Sequence, residues 1–579
     1  MKRYRLPSLV LWLVLVVCSR SSSPGADNAD SDVCDILFVG GRIIDGTGAP
    51  AFHGDVCVRG DRIAGVGLLS QRKARRTIDA TNLVIAPGFI DLLGQSEFVI
   101  FLDNRAASKI TQGITTEITG EGSNTSAGHP NARRLHSRSA YLDAHGVPIW
   151  NDLEGYFRAF AKNRSAINLG TFISAGGVRD NVIGKTDRPA TAPELLTMET
   201  EVAEGMAMGA FGVSSSLQYV PDRFASTEEL IALVRVAARY GGSYITHQRS
   251  EGDKIDESLD EVFRIARDAD IAVTIHHLKT AYRQNWGRMP KVLARIERAR
   301  AEGVDIAADQ YPYVAASNML EANIPVWARE GGRDAMIARL KDETQRARIK
   351  MEILQLGSTW ENQYQGYGGA SGILIGRLDK PELKRFQGRR LDEIARTELK
   401  DPLDMLMDFI AASPGTQGIG IMFMMAEDDV RAALRHPLVA LGTDREAFAT
   451  DGPTADDFSH PRAWGSATRI LGHYVRDEGL MTLEEAIRKM TSLPAARMKI
   501  WDRGLLRPGF MADLTIFNPA TIRDRSTFEN PKQYSEGVRY VTVNGELVID
   551  EGRITDARPG RPLRGPGYRG GSPASSARQ

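Results

Sequence analysis

SYITHQ (243–248), AVTIHHLK (272–279) and VDIAADQYPY (304–313) are three apolar segments, rich in β-branched residues, that each end in polar side chains. Between the first two, SLDEVFRIARDAD (258–270) has apolar residues at helical spacing. Buried strands that alternate with amphipathic helices indicate a parallel sheet covered by helices. We therefore interpret this stretch as consecutive strand–helix units of an α/β domain.

The same alternation extends on both sides of this stretch. Five more segments fit it: LVIAPGFIDL (83–92), ITTEITG (114–120), INLGTFISAG (167–176), AFGVSSS (210–216) and LVALGTD (438–444). Eight strands alternating with helices are typical of a (β/α)8 TIM-like barrel, which we predict over residues 86–503. The gap from Tyr313 to Val439 is longer than an ordinary connection, so we predict a lid insertion at about 325–432.

Both chain ends have the pattern of short strands joined by tight turns. The relevant segments are DILFVGGRIIDGTG (35–48), GDVCVRGDRIAGVG (54–67), GFMADLTIFNP (509–519) and VRYVTVNGELVIDEGRIT (538–555). The last contains Asn544-Gly545, a strong hairpin signal. We predict one small β-sandwich built from residues 33–85 and 504–566. Residues 567–579, rich in Gly, Ser and Arg, are predicted to be a disordered tail.

The N-terminus has the pattern of a secretory signal. Lys2, Arg3 and Arg5 precede an apolar run over residues 6–17, which is too short to span a membrane comfortably. We predict a signal peptide over residues 1–26, a secreted or periplasmic protein, and no stable membrane span after cleavage. An uncleaved membrane anchor, or lipid attachment through Cys18, is the alternative.

The composition argues against a polyanionic partner. Lys+Arg and Asp+Glu both total 73, so the formal net charge is zero and no nucleic-acid partner is expected. The oligomeric state is left open. Cys34 and Cys57 remain after signal cleavage, in segments interpreted as neighbouring strands. They form either a disulfide or two buried thiols, and the sequence slightly favours the thiols.

Polar residues stand where the predicted strands end, and a barrel of this kind carries its chemistry at those ends. The candidates are Glu121, His247, His276, His277, Lys279, Asp309, Tyr311 and Asp444. Two histidines and a carboxylate can hold zinc and leave one position for water. Another carboxylate can then act as general base. The alternative is that these histidines are ordinary core residues.

Longer motifs in the chain resemble those of the amidohydrolases, and most of all those of the N-acyl-D-amino-acid deacylases (D-aminoacylases). They are IDGTGAPAFHGDVCVRGDRIAGVG (44–67), APGFID (86–91), YITHQRSEG (244–252), HHLK (276–279), NWGR (285–288), DQYPY (309–313), LGTD (441–444), HPRAWG (460–465) and RGLLRPGFMADLTIFNP (503–519). The resemblance covers about residues 35–563. It implies metal-dependent hydrolysis of a small N-acyl-D-amino acid to a carboxylate and a D-amino acid.

The resemblance also assigns roles to individual side chains. It implies His247 and His277 as metal ligands, Asp444 as general base and acid, and Lys279, Tyr311, Ser317 and Arg462 as the site for the substrate carboxylate. An arginine fork and a lysine charge suit a carboxylate. His276 takes a position next to the ligand.

Two departures from the family pattern change the expected metal site. The amidohydrolase His-x-His after GFID is absent, because residues 92–95 read Leu-Leu-Gly-Gln. The strand-two cysteine of the D-aminoacylases is replaced by Gly122, which leaves Glu121 as the expected third ligand and Glu97 as a second candidate. We therefore predict one zinc ion per chain instead of two.

Three other functions remain open. The chain could cleave D-dipeptides, open a cyclic amide as hydantoinases and dihydropyrimidinases do, or bind its ligand without cleaving it. A cyclic imide has no free carboxylate and does not need Lys279 and Arg462. A binding protein does not need a base such as Asp444.

Overall fold

The structure, a computed structural model, describes residues 33–122, 139–355, 360–413, 418–455 and 458–570. The predicted signal peptide, Cys18 and residues 571–579 lie outside these ranges. Residues 567–570 of the predicted tail are described, and the Arg569 N–H donates to the Ala207 carbonyl at 3.4 Å. Within the described ranges, no helix combines the length and apolar character needed to cross a membrane.

Strands from both chain ends form one nine-stranded sheet. Its strands are β1 (Cys34–Ile43), β2 (Phe52–Arg59), β3 (Arg62–Gly67), β4 (Ala74–Asp79), β5 (Val84–Pro87), β18 (Leu514–Phe517), β19 (Val538–Val543), β20 (Glu546–Asp550) and β21 (Arg553–Ile554). The two ends join where β5 pairs with β18 in antiparallel register. Phe38, Ile85 and Ile516, from both ends, pack in one apolar cluster. Strands from the two chain ends therefore belong to one sheet.

Cys34 and Cys57 form a disulfide between β1 and β2, with Cα atoms 5.6 Å apart. The preference for two separate thiols is therefore wrong. The two strands are antiparallel neighbours, with Leu37 opposite Cys57. The distance between the cysteines depends on this pairing, which the local sequence pattern does not contain.

We expect the double variant Cys34→Ala/Cys57→Ala to lower the free energy of unfolding by about 2–4 kcal/mol. The disulfide links residues 23 positions apart and restricts the unfolded chain. Urea unfolding measures the change. Reduced wild-type protein should match the variant, whereas a reductant should leave the variant unchanged. Equal stability of the oxidised wild type and the variant would contradict the expectation.

Parallel strands follow one another in chain order between the two halves of the β-domain. β6 (Phe89–Asp91), β7 (Ile114–Thr119) and β8 (Asn168–Thr171) form one sheet; β9 (Ile173–Ser174), β10 (Gly212–Ser216), β11 (Ser243–His247), β12 (Val273–Ile275), β13 (Ile306–Gln310) and β17 (Val439–Leu441) form another. Phe172 alone separates β8 from β9, and at the other edges the Leu92 N–H donates to the Leu441 carbonyl. The strand positions agree with those predicted from the sequence.

Helices lie between these strands, as the alternating pattern predicts, and further helices follow β17. They are α1 (Ala107–Ile110), α2 (Ser139–Ala144), α3 (Leu153–Asn163), α4 (Ala175–Val182), α5 (Ala192–Ala207), α6 (Thr227–Arg239), α7 (Ile255–Ala269), α8 (Met289–Ala301), α9 (Val326–Arg329), α10 (Gly332–Lys341), α11 (Glu343–Leu354), α12 (Gln363–Gly366), α13 (Leu391–Thr397), α14 (Pro402–Ala411), α15 (Glu427–Arg435), α16 (Arg462–Arg469), α17 (Leu483–Met490) and α18 (Ser492–Arg497). In α7, Leu259, Val262 and Phe263 are buried on one side, as amphipathic spacing requires.

An additional small sheet lies between β13 and β17. Its strands are β14 (Ala316–Met319), β15 (Ile373–Arg377) and β16 (Ile419–Met422), in the antiparallel order β14-β16-β15. Helices α9 to α14 connect them. The additional structure begins at Ala316, before the predicted start at about 325, because β14 pairs with a strand far along the chain.

Candidate metal centre

Three side chains at the carboxyl ends of parallel strands meet in one buried cluster. Glu121 follows β7, His247 is the last residue of β11, and His277 follows β12. All three are at most 8% exposed. One potential ligand atom from each lies within 4.8 Å of the others. The structure thus brings together the three residues that the sequence predicts as metal ligands.

The spacing of these atoms suits a tetrahedral zinc ion. Glu121 Oε1 lies 3.3 Å from His247 Nδ1 and 3.4 Å from His277 Nε2. Ligands held about 2.0–2.1 Å from tetrahedral zinc are roughly 3.3 Å apart. Imidazole nitrogen and carboxylate oxygen are also common zinc donors. The donor types and their separation therefore fit zinc.

A second carboxylate, Glu251, lies behind the two histidines. Its Oε1 is 2.9 Å from His277 Nδ1 and 2.5 Å from Lys279 Nζ, and its Oε2 is 3.8 Å from His247 Nε2. A carboxylate on the outer nitrogen of a ligating histidine orients the ring. Sequence reasoning missed Glu251, because it lies four residues beyond the strand end in the motif YITHQRSEG.

The charges in this cluster favour a bound cation. Burial and Lys279 oppose protonation of His277, but Glu251 and Glu121 outweigh them and raise the pKa of its imidazole to about 10. Burial also opposes ionisation of Glu121, yet hydrogen bonds from His247 and His277 hold its pKa well below the usual range. Burial opposes ionisation of Glu251 as well, but Lys279 and the two histidines outweigh it, so the pKa of Glu251 lies below its usual range. The carboxylates that hold a proton on His277 would equally favour a metal cation in the place of that proton.

Asp444 is linked to this cluster by an amide bridge. Gln95 Nε2 donates to Asp444 Oδ1 at 2.8 Å and to Glu121 Oε2 at 3.1 Å. The Asp444 N–H donates to the Leu93 carbonyl at 2.7 Å. Sequence reasoning treated Gln95 only as a lost ligand position. In the structure its amide connects the expected ligand with the expected base.

Arg462 and Tyr311 lie on the other side of Asp444. Arg462 Nη1 is 2.8 Å from Asp444 Oδ2, and its guanidinium carbon is 4.4 Å from the centre of the Tyr311 ring. Lys279 Nζ lies 5.9 Å from the same ring. Arg462 and Lys279, two of the residues predicted to bind the substrate carboxylate, therefore both lie next to a third, Tyr311.

Ser317, the fourth predicted carboxylate binder, is placed differently. It is half-buried on β14 and pairs in register with Ile421. Within the part of the chain that the structure describes, no hydrogen bond or ion pair joins Ser317 to Arg462, Tyr311 or Lys279. Its role in binding the substrate stays a prediction.

His276 is directed away from the ligand cluster. Its Nδ1 lies 2.6 Å from Asp309 Oδ2, while Asp309 Oδ1 accepts the backbone N–H of His277 at 2.8 Å. This arrangement agrees with His277 as ligand and His276 as its neighbour. Glu97, the second candidate ligand, is buried, but it is not part of the described cluster around the histidines.

Comparison with known proteins extends over most of the chain. The amidohydrolase family matches residues 76–549. The chain is 35% identical over 539 residues to D-aminoacylase of Alcaligenes xylosoxydans xylosoxydans, a match that covers 92% of this chain and 98% of that protein. It is 33% identical over 542 residues to N-acyl-D-glutamate deacylase of the same organism, covering 94% and 99%.

A solved structure of a deacylase is also similar to this chain over most of its length. N-acyl-D-glutamate deacylase from Bordetella bronchiseptica, complexed with zinc and a phosphonate inhibitor that mimics the tetrahedral intermediate, superposes with a TM-score of 0.75. The two proteins are 32% identical, and the match covers 92% of this chain and 99% of that chain. The similarity therefore includes both the β-domain and the parallel strands.

Proposed function

This chain belongs to the amidohydrolase family, and we propose on that basis that it hydrolyses the linear amide of an N-acyl-D-amino acid to a carboxylate and a D-amino acid. One observation carries the proposal. The Glu121, His247 and His277 cluster lies beside Asp444, which is paired with Arg462. A metal centre, a proton acceptor and a group that binds carboxylates are thus adjacent.

We also infer that the two parallel sheets form one closed (β/α)8 barrel, with residues 316–424 as a lid. The hydrogen bond from Leu92 to Leu441 between the outer strands supports closure. Two contacts support a lid beside the site. The Tyr282 N–H, beyond β12, donates to the Met424 carbonyl at 2.8 Å. Ser250 Oγ, next to Glu251, donates to Glu361 Oε1 at 2.9 Å.

The residues at the site divide the chemistry among them. A zinc ion held by Glu121, His247 and His277 would polarise the scissile carbonyl and lower the pKa of the attacking water. Asp444 accepts the proton from that water and then donates it to the leaving amine nitrogen. Arg462 binds the substrate carboxylate through two N–H groups and so places the amide. Lys279 and Tyr311 complete that binding site, with Ser317 as a further contact.

We expect purified protein to hold about one zinc ion per chain, because the strand-one histidine positions carry other residues. His247→Ala and His277→Ala should each release the metal. His276→Ala is the matched control and should retain most of it, because its Nδ1 contacts Asp309. Elemental analysis after dialysis measures the content. Two tightly held zinc ions in wild-type protein would contradict the single site.

Release of free amine from paired N-acyl-D- and N-acyl-L-amino acids tests the function itself. Hydrolysis of the D substrates supports the proposal. Preference for a D-dipeptide or a hydantoin would identify one of the other amide hydrolases. Binding of an N-acyl-D-amino acid without release of amine would identify a non-catalytic member. Side-chain and acyl preference follow from the same panel.

We further infer that the chain is exported through its N-terminal signal. The Cys34–Cys57 disulfide supports this location, because disulfides persist in oxidising compartments. Fractionation of producing cells tests it, since cytoplasmic recovery of the mature enzyme would contradict export.

A further inference from the structure

Lys109 is a wholly buried cation that the proposed reaction does not use. Its Nζ donates to Asp91 Oδ2 at 2.8 Å, to Thr443 Oγ1 at 2.7 Å and to the Arg445 carbonyl at 2.8 Å. Glu117 Oε1 lies 3.3 Å away. Burial disfavours the ammonium form, but Asp91 and Glu117 raise the pKa of Lys109 above its usual value. Lys109 is therefore charged.

Two of these partners, Thr443 and Arg445, are the immediate neighbours of Asp444. Thr443 is attached a second time: its hydroxyl donates to Asp91 Oδ2 at 2.6 Å, and its N–H donates to Asp91 Oδ1 at 2.8 Å. Asp444 between them has a φ of 51°, in the left-handed region that non-glycine residues rarely adopt. The backbone on both sides of Asp444 is thus attached to β6 and α1.

We propose that Lys109, Asp91 and Thr443 form a clamp that positions Asp444 for proton transfer. The proposal rests on the role of Asp444 as the base. The clamp residues are positioning residues, because they act through the backbone beside Asp444. The clamp joins the end of β6, at Asp91, to the segment after β17 that carries Asp444. The base therefore keeps its orientation relative to the Gln95 amide, which follows β6 as well.

Misplacement of a reacting group by about 1 Å can cost on the order of 10²-fold in rate. Loss of the clamp should therefore lower kcat. Zinc content should not change, because Glu121, His247 and His277 lie at the ends of other strands. KM should change little, because the substrate carboxylate is bound from α16 and the loop after β12. Loss of a purely structural residue would not lower kcat while leaving KM and zinc content unchanged.

Thr443→Val tests the clamp with a small change of shape. It removes the hydroxyl between Lys109 and Asp91 and leaves their direct ion pair. We expect kcat for an N-acyl-D-amino acid to fall about 10- to 100-fold, with KM and zinc content unchanged. Thr443→Ser restores the hydroxyl and should recover most of the turnover. Thr115→Val is the matched control, since among the described residues that buried hydroxyl donates only to the Phe89 carbonyl, at 3.4 Å.

Hydrogen exchange over residues 442–446 gives a readout that does not depend on hydrolysis. Exchange should be faster in Thr443→Val than in wild type or Thr115→Val, because the Asp444 amide loses its support. If wild-type protein hydrolyses no N-acyl amino acid, the proposed function fails and exchange still decides whether the clamp exists. Unchanged kcat and unchanged exchange in Thr443→Val would overturn the clamp, and so would loss of zinc.

Discussion

Asp444→Asn should lower turnover by about 10²–10⁴ while the protein keeps its fold and its zinc. The amide has nearly the shape of the carboxylate but cannot accept the proton of the attacking water. Asp444 is outside the ligand cluster, and its oxygens contact Gln95 and Arg462, each at 2.8 Å. Asparagine keeps one acceptor for these two donors. Steady-state kinetics with an N-acetyl-D-amino acid, together with zinc analysis, measures the effect.

Asp103→Asn is the matched control for this variant. Asp103 and Asp444 are each 8% exposed, and Asp103 is also paired with an arginine, Arg105, at 2.7 Å. The same chemical change there should leave turnover close to the wild-type value. Near wild-type turnover of Asp444→Asn would exclude Asp444 as the base. Loss of zinc from Asp444→Asn would instead assign it a role in holding the metal.

Arg462→Ala should cost about 2–5 kcal/mol in kcat/KM, or roughly 30- to 5000-fold, for an N-acyl-D-amino acid. This is the usual cost of removing one partner of a buried charge pair, and here the group left unpaired is the substrate carboxylate. N-acyl-D-amino acid amides, which lack that charge, should be poor substrates of the wild type. Arg462→Ala should lower kcat/KM for these amides only a little further.

The comparison between acid and amide substrates is necessary because Arg462 also pairs with Asp444. Loss of that pair would lower kcat/KM equally for both substrates. Loss of the carboxylate site would lower kcat/KM only for the acid. Arg462→Lys keeps the charge but not the two-pronged geometry of the guanidinium. Its kcat/KM for the acid substrate should lie between those of the wild type and Arg462→Ala. An equal fall in kcat/KM for both substrates in Arg462→Ala would show that the arginine acts through Asp444. It would then argue against an N-acyl amino acid as substrate.

Arg469→Ala is the control in the same helix. Arg469 lies 5.0 Å from the Tyr313 ring and 3.3 Å from Asp524, so it resembles Arg462 in having both a tyrosine and an aspartate as partners. Its removal should affect stability without discriminating between acid and amide substrates.

The α/β strand order was predictable because it depends on local spacing. The β-strand over 243–247 follows from a short apolar segment rich in β-branched residues, and the helix over 255–269 follows from apolar residues at helical spacing. His247, His277 and Asp444 were found by the same logic, since parallel strands present their carboxyl ends at one edge. The choice of His277 over His276 came from the resemblance to a family and not from spacing.

Periodicity and motif alone therefore predicted the strands, the helices, the two histidines and Asp444. Only the tertiary structure placed Glu251 behind the histidines, made Gln95 a bridge between Glu121 and Asp444, and joined Cys34 to Cys57. It alone brought Lys109 to Thr443, 334 residues further along the chain. The physical reason is that such contacts depend on strand register and on the path of loops, and neither is contained in the spacing of neighbouring residues.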